Sequence, residues 1–184
     1  MKKFEFRRHS IKDGPTSAMI GPKGYDLARE VGRQQLRGRG FTHFFASAYF
    51  RTHQTLAAFA EGAGDFRLKY TPEMPPIYVS SPKIEEMWRV CAAAEKRGED
   101  MFQAAWMYDP FLFDATGEEM LRLFVAWQKS SFPDEANVLI VGHSPGLEFL
   151  LSALINGNVS GFKPCQGFRL TVEGPTRTVD LALT

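Results

Sequence analysis

Cysteine is scarce in the 184 residues: Cys91 and Cys165 are the only two. They have neither C-x-x-C spacing nor the density of a secreted disulfide framework, so ordinary thiols are expected. Charge of one sign is also lacking, since 22 Lys and Arg stand against 21 Asp and Glu. No overall field points to nucleic acid or to a membrane surface, and a charged ligand must be met by a local cluster. No apolar run reaches the roughly 20 residues that span a bilayer, and Met1-Lys2-Lys3 leads into a strand pattern rather than a signal-peptide core. A soluble, cytoplasmic protein is expected. The four histidines show no zinc-ligand spacing, so neither metal nor cofactor is called for.

What is present is a 44% hydrophobic chain of the usual size of one domain, taken here as residues 1–184. Phe4 and Phe6 with their charged neighbours form a short strand ending near Arg8-His9. A helix is predicted from Pro22 to about Arg37, a strand over Thr42–Ser47, and a helix over Thr52–Ala60 closed by Gly62 and Gly64. Pro72, Pro75 and Pro76 break the pattern before a short strand at Ile77–Val79. Helical spacing then runs from Ile84 to Tyr108, interrupted at Gly98, and again over Gly117–Ser131. Residues 72–131 therefore look like a helical cap or insertion. Asn137–Val141 has the continuous aliphatic run of a strand buried on both faces. A helix over Leu147–Ile155 and a hairpin of Gly167–Glu173 with Arg177–Leu183 complete the chain. Alternating strands and helices predict an α/β fold, a three-layer α/β/α sandwich with a mostly parallel central sheet.

Three loops carry the chemistry: Arg8-His9-Ser10, the stretch from Ser47 to Thr55, and Gly142-His143-Ser144. Each follows a predicted strand, and in a parallel sheet such strand ends share one rim. Two Arg and two His there would make an anion pocket. Arg presents a planar fork of donors that matches phosphoryl oxygens and stays charged at any working pH. A neutral imidazole is an adequate nucleophile near pH 7. One His can then attack phosphorus while the other, protonated, donates to the developing charge, with helix N-termini adding backbone donors.

These motifs resemble those of the histidine phosphatase superfamily. Phe6-Arg7-Arg8-His9-Ser10 is similar to its first-strand Arg-His-Gly, with Ser10 in place of Gly. The run from Ser47 through Arg51 to Gln54-Thr55 resembles its second motif, and Val138–His143 its late strand ending in Gly-His. The resemblance covers most of the chain and looks nearest to the small phosphohistidine phosphatase branch. It implies His9 as the nucleophile that becomes phosphohistidine, Arg8 and Arg51 as phosphate clamps, and His143 as electrostatic partner. Ser10 and the backbone N–H of Ser144 are further phosphate contacts. The family's leaving-group acid falls near Glu85 or Glu86, where helix capping is an alternative role. The substrate implied is a phosphorylated small molecule or a phosphohistidine protein, without metal or cofactor. A phosphoglycerate-mutase-like phosphotransferase and a non-catalytic phospho-ligand binding module are the alternatives.

Gly142-His143-Ser144-Pro145-Gly146 also fits the G-x-S-x-G nucleophile elbow of α/β-hydrolases. That fold places its histidine after the serine, and none follows Ser144 in this chain. His43 and His53 are expected to be structural, and Trp88, Trp106 and Trp127 to pack in the core or cap.

Overall fold

The structure, a computed structural model, describes residues 1–14, 17–64, 81–157, 159 and 161–183. The strand expected at Ile77–Val79 and the loop residues Pro15 and Thr16 lie outside the described residues. The chain groups into two compact units. One draws on the stretches Met1–Met74, Phe132–His143 and Phe162–Thr184, the other on Pro75–Ser131 and Ser144–Gly161.

The first unit holds one five-stranded sheet. Its strands are β1 (Lys2–Arg8), β2 (His43–Ala46), β3 (Asn137–Gly142), β4 (Gly167–Glu173) and β5 (Thr176–Leu183), in the order β2-β3-β1-β4-β5. Both β1 and β2 run parallel to β3. β4 is antiparallel to β1 and to β5. Four strands therefore share one direction, so the fold is α/β with a mixed, mostly parallel sheet. The aliphatic run Val138–Val141 is buried throughout, as a strand flanked on both edges and covered on both faces requires.

β1 departs from simple alternation because its charges are buried as well as its phenylalanines. Phe4 and Phe6 face an aromatic cluster in which Phe6 stacks on Phe168 with ring centroids 4.7 Å apart and Phe132 meets Phe4 edge-on. On the opposite face Glu5 pairs with Arg7 at 2.6 Å and with Arg169 at 2.9 Å. Arg7 also donates to Gln35 Oε1 and to the Cys165 carbonyl. A buried charge is tolerated when paired and hydrogen-bonded in this way.

Helices α1 (Pro22–Val31) and α2 (Phe50–Ala63) cover the Leu139–Val141 side of the sheet with Ala28, Leu56, Ala58 and Phe59 in the core. The helix predicted to run to Arg37 changes at Gly32 into a π-helical turn, Gly32–Leu36. The two helices touch through glycine. A Cβ on Gly32 would lie 2.3 Å from the Phe59 carbonyl oxygen, and one on Gly62 1.8 Å from that of Arg29. Of the two glycines expected to close α2, Gly62 lies inside it and the left-handed Gly64 (φ 70°) closes it, one turn beyond the predicted Ala60.

The second unit contains α3 (Pro82–Arg97), α4 (Met101–Tyr108), α5 (Pro110–Ser131) and α6 (Gly146–Ile155). α5 begins seven residues before the expected Gly117, because Asp109 Oδ1 accepts from the N–H groups of Phe111 and Leu112 and Pro110 fills the first position. Gly117 lies within it, where a Cβ would come 2.8 Å from the Phe149 carbonyl oxygen of α6. Trp127 packs inside as expected, whereas Trp106 is half exposed. Among the described residues no helix is long and apolar enough to cross a membrane.

Candidate active site

The ends of β1, β2 and β3 meet at one rim. Arg8 pairs with Gly142 in the sheet register, His9 N–H donates to the Gly142 carbonyl at 2.9 Å, and Ser47 N–H donates to Val141 at 3.1 Å. His9 and His143 thereby come together with ring centroids 5.1 Å apart, each only 6% exposed.

His9 is held by its own loop. Its Nδ1 lies 2.7 Å from the Ser10 carbonyl oxygen, so the proton sits on Nδ1 and Nε2 carries the lone pair. The Ser10 N–H donates to Thr55 Oγ1 and its hydroxyl to the Gly24 carbonyl. The hydroxyl proton of Ser10, proposed as a phosphate contact, is therefore committed to α1. Ser10 anchors the carbonyl that orients His9 instead. Close approach is needed here, but from the partner side: a Cβ on Gly24 would sit 2.2 Å from the Ile11 carbonyl oxygen. Cys165, in a left-handed conformation (φ 63°), donates its N–H to the His9 carbonyl from behind.

His143 is held from the side. Ser47 Oγ is 2.6 Å from His143 Nε2 and 3.1 Å from Thr52 Oγ1, while the Thr52 hydroxyl reaches the carbonyls of Ser47 and Tyr49. His143 Nδ1 is buried and has no hydrogen-bond partner among the described residues. Tyr49 meets the His143 ring edge-on at 4.7 Å, and the Arg51 guanidinium carbon lies 4.7 Å over the Tyr49 ring.

The pocket's electrostatics follow from burial and cations together. Burial, helped by the charges of Arg51, Arg8 and Lys12, pushes the His9 imidazole down to about 4. The same burial, the neighbouring His9 and the same three cations push His143 down to about 2. His9 is thus a neutral imidazole across the physiological range. The protonated His143 expected from sequence is not what this environment favours, because desolvation and three cations all oppose its charge.

Arg8 donates one guanidinium N–H to the Phe162 carbonyl, while its Nε is buried without a partner among the described residues. Arg51 occupies the first turn of α2, and its backbone N–H is already given to Ala18 at 3.1 Å. Those of Thr52 and His53 go to Tyr49, so these three N–H groups of α2 are not the anion donors anticipated. Lys12, Ser47, Thr55 and Tyr49 had no assigned role; only the contacts of neighbouring chain segments reveal one.

Ser144, Glu85 and Glu86 belong to the second unit. The Ser144 hydroxyl donates to the buried carboxylate of Glu148. Glu85 is exposed and Glu86 accepts from the Tyr108 hydroxyl at 3.0 Å. His43 packs edge-on against Phe132 and bonds Thr42, a structural setting. Among the described residues no group of three or more His, Cys, Asp or Glu is placed to hold a metal ion.

No protein-family model matches the sequence, and no curated protein matches it. Similarity appears at the level of structure. The fold is shared with solved structures of a phosphoglycerate mutase and of several phosphatases. A phosphoglycerate mutase from Bacillus anthracis superposes with a TM-score of 0.65 at 16% identity, over 98% of this chain and 92% of that one. The mycobacterial glucosyl-3-phosphoglycerate phosphatase complexed with VO3 gives 0.60 at 16% identity, over 100% and 99%. The protein histidine phosphatase SixA complexed with tungstate gives 0.52 at 15% identity, over 97% and 94%.

Proposed function

We propose that the protein is a phosphatase of the histidine phosphatase superfamily, hydrolysing a phosphomonoester or phosphohistidine through a covalent phosphohistidine on His9. The observation that carries this is the His9 ring itself. It is neutral, with Nδ1 tied to the Ser10 carbonyl and Nε2 left as nucleophile, and it stands beside His143 under the field of Arg8, Arg51 and Lys12. Oxyanions bound to two of the structural neighbours, VO3 and tungstate, are the kind of ligand such a field attracts.

In this mechanism His9 Nε2 attacks phosphorus in line, forming a P–N bond as the bond from phosphorus to the leaving atom breaks. Arg8 and Arg51 hold the equatorial oxygens. A bound phosphoryl dianion opposes the field of the three cations at His143 and favours a donor proton on Nδ1, Ser47 then donating to Nε2. The departing oxygen takes up a proton as it leaves, and a phosphohistidine nitrogen needs such help less. Water attacks the phosphohistidine, the P–Nε2 bond breaks, and phosphate leaves. The partner is thus a phosphorylated small molecule or a phosphohistidine protein. Transfer to a second hydroxyl is the other reading, favoured by the mutase among the neighbours.

The test compares wild type and His9→Ala on a chromogenic aryl phosphate and a phosphohistidine peptide in excess EDTA, with acid-labile phosphoenzyme trapped in parallel. Turnover and label in the wild type, both lost in a folded variant, is the expected result. Activity that survives His9→Ala would sink the assignment.

A further inference from the structure

We infer that Tyr49 and Phe50 form a leaving-group subsite for a planar aromatic moiety, an inference that rests on the phosphoryl-transfer reading of the adjoining pocket. The floor of that pocket is polar and buried, but the first residues leading out of it are not. Tyr49 is 55% exposed and Phe50, its neighbour at the first position of α2, is 73% exposed. The facing loop presents Met19 and Ile11, at 52% and 42%. Two bonds hold loop and helix start together, Arg51 N–H to Ala18 and Ile20 N–H to Gln54 Oε1 at 3.0 Å. A single exposed apolar side chain means little, but several bordering an anion pocket mark a ligand-contacting mouth.

Continuity with the phosphoryl pocket points to the leaving group as occupant. The Tyr49 ring is itself a wall of that pocket, set edge-on against His143 and beneath the Arg51 guanidinium. A ring held on two sides is already ordered, so little entropy is lost when a second ring packs against it. Phe50 adds a second ring one residue further out. Aromatic pairs prefer offset or edge geometry and gain beyond their buried area, by an amount equivalent to about tenfold in binding for one good pair.

The experiment measures calorimetric Kd values of methylphosphonate, benzylphosphonate and cyclohexylmethylphosphonate for wild type, Phe50→Ala and Tyr49→Leu. None of these ligands can be turned over, so binding is read apart from catalysis. Wild type is expected to prefer benzyl over methyl by about tenfold, with cyclohexylmethyl well behind benzyl. Both variants should lose most of that preference, and Phe50→Ala should still bind methylphosphonate, which also reports that it is folded; far-UV circular dichroism reports the fold of Tyr49→Leu. A wild type that binds methyl and benzyl alike overturns the subsite and leaves the phosphoryl pocket standing. Cyclohexylmethyl binding as tightly as benzyl overturns the aromatic assignment, as does a preference that survives both substitutions. If none of the three phosphonates binds, the phosphoryl pocket falls and the subsite with it.

Discussion

At the scale of residues, two adjacent arginines meet opposite fates. Arg7 and Arg8 point to opposite faces of β1, as successive strand residues must. Arg7 is buried and fixed by Glu5, Gln35 and the Cys165 carbonyl, so it holds the loop behind His9. Arg8, at the strand end, keeps a buried Nε with no protein partner among the described residues. The motif suggested which of the two faces the anion, but the buried ionic cluster that claims the other was not legible, because Glu5 finds Arg169 only when β4 pairs with β1. For Arg51, the geometry of its donor fork should matter more than its charge. Arg51→Lys keeps the cation and loses the planar fork, so kcat/KM should fall by about 10²–10³-fold. Steady-state kinetics at wild-type levels would remove Arg51 from the pocket.

At the scale of elements, α1 and α2 lie as close as two backbones allow. Gly→Ala inside a helix ordinarily gains up to about 1 kcal/mol from propensity. At Gly62 that gain meets a Cβ only 1.8 Å from the Arg29 carbonyl oxygen, a backbone atom that cannot swing aside. Overpacking of this kind costs roughly 1–3 kcal/mol or more, so the steric effect decides the sign. Gly62→Ala should lower the urea midpoint, and a midpoint at or above wild type would show the helices free to separate. α2 also carries Arg51, Thr52 and Thr55, so the same variant should lose activity before it loses helicity. Glycine misled the sequence at both Gly62 and Gly117 for one reason. A glycine that bounds a helix and a glycine that admits a neighbouring helix look alike until the neighbour is in place.

For the whole molecule, the two depressed histidines make stability depend on pH. An unfolded histidine titrates near 6.5, whereas folding holds His9 at about 4 and His143 at about 2. Above pH 6.5 both states are neutral and neither group contributes. Between pH 6.5 and 4 the unfolded chain binds protons that the native state refuses, so stability falls as the pH falls. The slope approaches about 1.4 kcal/mol per pH unit for each histidine. His143→Gln should flatten that slope in urea titrations followed from pH 7.5 to 4.5, and a variant curve parallel to the wild type would mean that His143 titrates normally.

The α/β alternation, the three strand-end loops and the candidates His9, Arg8, Arg51 and His143 are legible from residue order alone, because periodicity and turn residues are local signals. What those groups are chemically depends on the folded chain. His143 is neutral because burial and three cations from other segments surround it, and Ser10 is an anchor because Gly24 of α1 takes its proton. Tyr49 is a pocket wall because strands far apart in the chain bring His143 beside it. Desolvation and hydrogen-bond commitment depend on neighbours distant in sequence, and no local pattern carries them.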